Sequence, residues 1–234
     1  MTAPKRLPLD EEAIQLRQAT RGFTAPFILY IGALVLEHGA HLSPAIVHPV
    51  RLGLVVAAIL VFSRPYLTKR PACAFSSVLV GLAVFAIWVA PDLLFHYRHF
   101  WLFENPFTGS ATSSLPPTLR RNWAFLLLRV VSSSAAVPIL EELFWRGWLM
   151  RWVIDKNFLK VPLGTYTPFS FWTVAILFAS EHGPYWDVGL VAGVLYNWWM
   201  IRTKNLADCM VAHGVTNACL AAYVLATGLW SYWL

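Results

Sequence analysis

Three residue pairs at i,i+4 spacing bring polar groups into otherwise apolar stretches of the chain. This spacing puts both members of a pair on one face of a helix. The pairs are Glu142 with Arg146 in VPILEELFWRGWLMRW, Phe178 with His182 in FASEH, and His213 with Asn217 in VAHGVTN. Ionisable residues inside apolar spans are costly and are functional candidates for that reason. We therefore expect the chemistry of this chain to lie at these three places.

The first of these places offers two carboxylates with different surroundings. On a helix Glu142 faces Arg146 in the favourable order, acid before base, so the arginine is expected to neutralise and position it. Glu141 points about 100° away and lacks that partner. An unpaired carboxylate in an apolar setting takes up a proton readily, which suits a general base. The alternative is an interfacial ion pair that ends a helix.

The two histidine pairs have structural alternatives of their own. His182 near a helix end is compatible with an interfacial residue, and we expect Glu181 beside it to be a solvated neighbour. His213 and Asn217 lie one turn apart in an apolar run, where they could instead hydrogen-bond one helix to another. At 1.5 Å rise per residue, Glu141 lies ~15 Å from Arg151 and His213 ~14 Å from Lys204. We therefore expect Glu141, His182, His213 and Asn217 to meet at one level near the bilayer midplane.

Composition indicates that the helices carrying these residues cross a membrane. Of the 234 residues, 58% are hydrophobic and 13% charged, against about 45–50% and 25% in an average soluble domain. A soluble chain of this size lacks the interior volume for so much apolar surface. The net charge of +6 fits basic cytoplasmic loops, and without a basic stripe interleaved with aromatics we do not expect nucleic-acid binding. The sequence predicts an all-α, polytopic transmembrane bundle whose immediate partner is the lipid bilayer.

Apolar runs predict about seven or eight spans in a single transmembrane domain, residues 23–234. Seven can be placed: 23–41, 44–63, 73–94, 122–145, 164–182, 186–202 and 206–232. Residues 1–22 are expected to form a cytoplasmic N-terminal segment with a short amphipathic helix over 10–21. The second span is the weakest, because His48 and Arg51 interrupt its start. Thirteen of the 18 lysines and arginines fall on the side of the N-terminus and four on the other, which predicts a cytoplasmic N-terminus and a C-terminus on the opposite side.

Taken in order, E-E-x-x-x-R, F-x-x-x-H and H-x-x-x-N resemble the three motifs of the CAAX-protease and bacteriocin-processing superfamily. This superfamily comprises the type II CAAX prenyl endopeptidases and their bacterial relatives. The resemblance runs from span four through span seven, with a protease-like core at about 121–232. The sequence is also similar to a bacterial branch associated with exosortase systems, in the segments EELFWRGWLMRW, LYNWWMIRT and VAHGVTN. A place in the bacterial inner membrane is the corresponding expectation.

The resemblance implies an intramembrane endopeptidase that acts on a membrane-associated peptide or protein. Glu141 and His182 would activate water, His213 and Asn217 would steady the oxyanion as neutral donors, and Glu142, Arg146 and Phe178 would support them. The family implies glutamate-based catalysis without a metal or other cofactor. The chain has no H-E-x-x-H, G-x-S-x-G or G-x-G-D motif, so the other types of intramembrane protease are disfavoured.

Two alternatives remain open at this point. Glu141, His182 and His213 are a legitimate ligand set for catalytic zinc, which would make the chain a zinc-dependent membrane protease. A non-catalytic scaffold or immunity protein could share the same fold. Two further i,i+3 pairs, His38 with His41 and His96 with His99, have metal-ligand spacing, but we interpret them as interfacial.

Overall fold

A computed structural model describes residues 9–40, 42–67, 70–113 and 115–233, without the side chains of Leu9 and His38. The regular secondary structure within these ranges is helical and includes no β-strand, which confirms the predicted all-α class. Seven main helices follow one another: α1 (Leu9–Gly39), α2 (Pro44–Tyr66), α3 (Ala74–Phe95), α4 (Trp123–Trp152), α5 (Pro168–Ser180), α6 (Trp186–Thr203) and α7 (Leu206–Thr227).

Side-chain caps define where several of these helices begin. Asn122 accepts a hydrogen bond from Phe125 N at the start of α4, and Thr167 accepts one from Ser170 N at the start of α5. Asn205 begins α7 in the same way. Each cap satisfies a backbone N–H that the first helical turn leaves without a partner. Gly228 ends α7 with φ 72°, a left-handed conformation that glycine adopts without a steric penalty.

Five of the helices are long and apolar enough to cross a membrane: Asp10–Glu37, Pro44–Tyr66, Ala74–Phe95, Trp123–Trp152 and Leu206–Thr227. They correspond to predicted spans one to four and seven. Predicted spans five and six are present as helices, but they are not both long and apolar enough to meet this criterion. α5 has only 13 residues, about 20 Å at 1.5 Å per residue, against ~30 Å of hydrocarbon. The chain is therefore a helical integral membrane protein in which α5 and α6 differ from the rest.

The helices run up and down between two ends of the bundle. At one end Lys160 binds Glu12 at 2.7 Å, and Asn205 Nδ2 donates to Arg70 O. At the other end Ser113 Oγ donates to Trp233 O. Residues predicted to share a side of the membrane thus meet at the same end. The side on which each end lies stays a prediction.

The first helix joins two regions that the sequence had suggested as separate. α1 continues without a break from Leu9 through residue 22 to Gly39, so the amphipathic segment and the first span are one helix. A second difference from the sequence analysis concerns Arg146. It was one of the thirteen lysines and arginines counted on the side of the N-terminus. It lies inside α4 and is fully buried, so it does not contribute to the loop charge bias.

The charged start of the second span is accommodated by pairing. Arg51 is 6% exposed and binds Glu37 Oε2 of α1 at 2.6 Å. Its Nη2 also lies 2.9 Å from His48 Nδ1. Since a guanidinium can only donate, His48 Nδ1 is the acceptor. A cation within a span is thus neutralised by an acid from the neighbouring helix.

α3 and α7 lie close together along their length. A Cβ at Gly81 would clash with the backbone of Ala212 and the side chain of Val215, so the glycine permits this approach. Asp208 of α7 is fully buried and accepts hydrogen bonds from Ala72 N at 3.1 Å and Cys73 N at 2.8 Å. A carboxylate from α7 therefore caps the start of α3.

The turn between α5 and α6 lies inside the bundle. The ring of His182 in this turn packs on Trp88 at 5.1 Å, and Trp88 lies seven residues before the end of α3, about 10 Å along its axis. Irregular backbone at such depth requires cover from protein or a water-filled cavity. The loop between α3 and α4 supplies cover, because Arg98 Nη1 donates to Pro184 O at 2.7 Å and Trp186 Nε1 donates to Leu102 O at 3.3 Å.

Arg98 is the residue through which this loop binds the α5–α6 turn most directly. It is 2% exposed and also binds Asp187 Oδ1 at 2.6 Å. Tyr97 OH donates to the other oxygen of Asp187. Burial, together with this hydrogen bond, raises the pKa of Tyr97 to about 12, so its hydroxyl keeps its proton at neutral pH.

Candidate active site

The predicted pair of Glu142 and Arg146 is the centre of a buried polar cluster. Both side chains are fully buried, and Arg146 Nη1 lies 3.1 Å from Glu142 Oε1. Arg146 Nε donates to Asn197 Oδ1 at 2.9 Å, and its Nη2 donates to Gly193 O at 3.3 Å. The ion pair is confirmed. The two groups from α6 that complete it were not predicted.

Helix α4 changes its winding on both sides of the two glutamates. Residues Val137–Glu142 are α-helical, whereas Ser132–Ala136 and Leu143–Leu149 form π-helical turns. Such turns are rare and are frequently found at functional sites. They shift the faces on which the following residues lie, so simple α-helical spacing does not hold across the whole of α4.

Glu141 faces a cavity rather than an arginine. Its Oε2 is buried and has no hydrogen-bond partner among the described residues. The same oxygen lies 3.9 Å from His213 Nε2, which is too long for a direct hydrogen bond. Glu141 is therefore a carboxylate available to a ligand or to water, in agreement with its predicted lack of an arginine partner.

His182 follows the end of α5 and lies in the turn, not within the helix. Its Nδ1 lies 2.7 Å from Phe178 O. A carbonyl can only accept, so Nδ1 carries the proton and Nε2 of the neutral ring is left as an acceptor. Phe178 itself packs on His182 at 4.7 Å and under the guanidinium of Arg146 at 4.5 Å. It thereby links the turn to the buried ion pair.

His213 is held between two carboxylates. Its Nδ1 lies 3.0 Å from Glu142 Oε1, and its ring stacks on Tyr196 with centroids 5.0 Å apart. Because the Glu142 carboxylate is paired with Arg146, it accepts and Nδ1 donates, so a ring with a single proton has none on Nε2. The expected role of His213 as a donor to an oxyanion requires a proton on Nε2, and that role stays a prediction. His213 can donate from Nε2 only when both nitrogens are protonated.

Asn217 lies one turn after His213, on the same side of α7. Its Nδ2 donates to Ser133 O at 2.9 Å, and Ser133 belongs to the first π-helical turn of α4. One of the two amide protons is therefore used to fix the side chain. The second remains for another acceptor, as an oxyanion-stabilising role requires.

All four predicted catalytic side chains line one cavity of about 230 Å³. Glu141 comes from α4, His182 from the α5–α6 turn, and His213 and Asn217 from α7. Phe178 also lines it, whereas Glu142 and Arg146 lie behind the wall. Much of the remaining wall is aromatic: Trp88, Tyr185, Tyr196, Tyr232 and Trp233. The cavity is large enough for water and part of an extended chain.

One further carboxylate in this cavity was not recognised from the sequence. Glu181 was expected to be a solvated neighbour of His182. Its side chain is exposed, yet it lines the same cavity as Glu141. The only signal available was its place next to the histidine of F-x-x-x-H, because the turn that directs it inward depends on tertiary contacts.

The positions of the cavity residues are also relevant to the alternative prediction of a zinc site. Within the described ranges no group of three or more histidine, cysteine or acidic side chains is arranged to hold a metal ion. Both histidines nevertheless have an acceptor at Nδ1 of the kind that orients a zinc ligand. Of the other histidine pairs, His41 and the side chain of His38 lie outside the described residues. His96 and His99 are exposed, and His99 Nδ1 lies 2.8 Å from Glu104 Oε2.

Fold and site together define a class: a polytopic helical membrane protein with a carboxylate–histidine cluster facing a cavity between its helices. Residues 122–219 match the family model described as Type II CAAX prenyl endopeptidase Rce1-like. This match confirms the resemblance to the CAAX proteases over that segment and indicates a CAAX-type intramembrane protease. No curated protein and no solved structure matches the chain. The similarity to the exosortase-associated branch stays a prediction.

Proposed function

We propose that this protein is a glutamate-type endopeptidase that hydrolyses a peptide bond of a membrane-associated polypeptide. The single observation that carries the proposal is the convergence of Glu141, His182, His213 and Asn217 on one cavity. These side chains come from three separate parts of the chain. Their meeting at one void within a helix bundle provides both proton acceptors and hydrogen-bond donors for amide hydrolysis.

The proposed reaction begins with a water molecule between Glu141 and His182. Glu141 offers an oxygen without a described hydrogen-bond partner, and His182 offers Nε2 as an acceptor because Nδ1 is bound to Phe178 O. Glu141 takes a proton as the water oxygen attacks the scissile carbonyl. General-base assistance of this kind typically contributes about 10²–10⁴-fold.

The oxyanion formed by this attack requires donors. Asn217 has one amide proton left after its bond to Ser133 O. His213, which lies between the carboxylates of Glu141 and Glu142, is the second proposed donor. A well-placed donor in a water-poor site is worth about 2.7–4 kcal/mol. Glu142 and Arg146 position His213 rather than touch the substrate.

The substrate class follows from the surroundings of the cavity. A cavity between membrane helices with an aromatic wall favours a polypeptide that reaches it from the bilayer or its surface. We expect a bacterial inner membrane with the N-terminus in the cytoplasm. The prenylated CAAX peptide in the family's description is not transferred to this chain.

Zinc-dependent hydrolysis is the second candidate, with Glu141, His182 and His213 as ligands. It is favoured by one observation, the acceptor that each histidine has at Nδ1. A zinc ion held by these three side chains would supply Lewis-acid activation of water. In the first mechanism Glu141 itself supplies the base, so no metal is needed.

A substitution at Glu141 tests the proposal. Purified full-length protein in lipid discs would be incubated with a set of quenched-fluorescent transmembrane peptides, and products would be identified by mass spectrometry. We expect wild type to cleave some members and Glu141→Gln to cleave none, because the amide keeps the shape but removes the base. Glu11→Gln, an exposed acid on α1, is the matched control and should retain full activity. Turnover by Glu141→Gln within a few fold of wild type would refute the assignment.

A further inference from the structure

We infer that a second cavity beside the catalytic one binds a carboxylate of the polypeptide substrate through Arg51, Arg129 and His48. The inference rests on the proposed function and adds a specificity-determining site to it. The second cavity has a volume of about 550 Å³ and lies between α1, α2 and α4. Four residues line both cavities: Ser133, Val137, Tyr232 and Trp233. The two spaces are therefore neighbours, and one extended polypeptide can contact both.

The described walls of the second cavity carry more positive than negative charge. Arg51 and Arg129 are cations, and Glu37 is the only acid among the described lining residues. Because Glu37 balances Arg51, which it binds at 2.6 Å, the described lining residues have one positive charge in excess. A charge within membrane spans is costly unless a counter-charge is near. A ligand with a single negative charge would supply it.

A buried hydrogen-bond donor at the same place is a second, independent observation. His48 lines the cavity and is 6% exposed, and its Nδ1 accepts from Arg51 Nη2. The neutral ring therefore carries its proton on Nε2. This Nε2 is buried and has no hydrogen-bond partner among the described residues. A buried N–H without an acceptor is costly, so the site is suited to a ligand that brings an acceptor.

Aromatic rings position both guanidinium groups. Arg51 lies over the ring of Tyr30 at 5.1 Å, and Arg129 lies over the ring of Trp233 at 5.0 Å. Such contacts hold a guanidinium by its face and leave its N–H donors at the edge. Both arginines lie within electrostatic range of His48. A carboxylate, which accepts at two oxygens, fits donors that come from α2 and α4.

The depth of the site favours a polypeptide over a lipid headgroup as the source of the anion. Arg51 lies seven residues after its span begins at Pro44, and Arg129 lies six residues after its span begins at Trp123. These separations correspond to about 10 Å and 9 Å along the helix axes. Lipid phosphates lie outside the hydrocarbon layer, whereas a substrate in the neighbouring catalytic cavity is already inside the bundle.

The length of α4 limits the distance between the bound carboxylate and the scissile bond. Arg129 precedes Glu141 by twelve residues, about 18 Å at 1.5 Å per residue. An extended chain covers about 3.3–3.6 Å per residue, so the carboxylate lies within about five residues of the scissile bond. It can belong to an aspartate or glutamate side chain or to the C-terminus of the substrate.

A binding measurement that does not depend on turnover tests the site. Full-length Glu141→Gln protein in phosphatidylcholine discs would be titrated with fluorescent transmembrane peptides in pairs. One set places Asp or Asn at successive positions, and another pair has a free or an amidated C-terminus. We expect the acidic member of at least one pair to bind about 10–100-fold more tightly, as charge-assisted hydrogen bonds predict. The pair that shows this ratio identifies the source of the carboxylate.

A substitution at Arg129 assigns this preference to the second cavity. In the same background Arg129→Gln should bring the ratio of the two dissociation constants to within a few fold of one. Arg121→Gln, at an exposed arginine near the start of α4, is the matched control and should keep the full ratio. Each ratio compares two peptides on one protein, so a smaller folded fraction does not change it. If Arg129→Gln does not fold, His48→Phe removes the Nε2 donor and should also lower the ratio.

The outcomes separate this site from the proposed function. Equal binding within every pair, or an unchanged ratio in the folded variant, would overturn the inference. Stoichiometric anionic phospholipid that is retained by wild type and lost from Arg129→Gln would assign the cavity to a headgroup and overturn it as well. Wild type that cleaves peptides without any preference for the acidic members would also overturn it, while the proposed function stands. Wild type that binds with the expected ratio but cleaves no peptide would instead refute the proposed function.

Discussion

Removing Glu142 and Arg146 one at a time should expose how strongly the buried pair holds the site together. Both side chains are fully buried, so each single substitution leaves an uncompensated charge, a cost of about 3–5 kcal/mol. The two losses should differ. After Glu142→Ala, the described hydrogen-bond acceptors left to Arg146 are neutral, Asn197 Oδ1 and Gly193 O, and a guanidinium cannot lose its charge. We therefore expect a loss near the upper end, about 5 kcal/mol.

Arg146→Ala should cost less, about 3 kcal/mol. The remaining Glu142 carboxylate still has a hydrogen-bond partner, His213 Nδ1 at 3.0 Å. The double substitution removes both charges together, so its loss should be several kcal/mol below the sum of the singles.

The assay is a double-mutant cycle on the free energy of unfolding in detergent micelles. Arg202→Ala, an exposed cation at the end of α6, is the matched control and should change stability by no more than about 0.5 kcal/mol. A coupling below about 0.5 kcal/mol, or a larger loss for Arg146→Ala than for Glu142→Ala, would refute this reasoning. The asymmetry is the sharper criterion, because it depends on the His213 contact rather than on burial alone.

Three further results are expected. Asp208→Asn should lose about 1–3 kcal/mol of stability, because the amide cannot accept from both Ala72 N and Cys73 N as the carboxylate does. Thermal unfolding measures this loss, and exposed Asp10→Asn is the control. An equal Tm for the two variants would contradict the prediction. A reporter active only in the cytoplasm should give signal when fused to the N-terminus and none at the C-terminus. Equal signals at both ends would contradict the predicted placement of the termini on opposite sides of the membrane. Activity should survive exhaustive chelation with well under one zinc per chain, whereas stoichiometric zinc lost and restored together with activity would establish the second mechanism.

The sequence predicted the parts of the site that depend on local spacing. Glu142 and Arg146 lie four residues apart and bind each other as the i,i+4 rule requires. The lack of an arginine partner for Glu141 followed from the same geometry. The apolar runs likewise predicted all seven helices, because burial in lipid requires long runs with few charges.

Features that depend on contacts between distant segments could not be predicted in this way. The acceptor of Arg51 is Glu37 on another helix, so the second span appeared weaker than it is. The inward direction of Glu181 depends on a turn covered by Arg98, which is more than 80 residues away in the chain. The tautomer of His213 depends on Glu142, 71 residues before it. Periodicity carries no information about such pairings.

The short α5–α6 hairpin also affects the lipid around it. Phe169, Trp172 and Ile176 of α5 are exposed and present an apolar face only about 20 Å tall, against ~30 Å of hydrocarbon. Acyl chains beside this face must shorten or tilt, at a cost of a fraction of a kcal/mol per ångström of mismatch. We therefore expect the bilayer to be thinnest beside α5, which ends two residues before His182. Under the proposed function, a substrate helix beside α5 would lose part of its own apolar cover, and its end would unwind toward the cavity at a lower cost than elsewhere in the membrane.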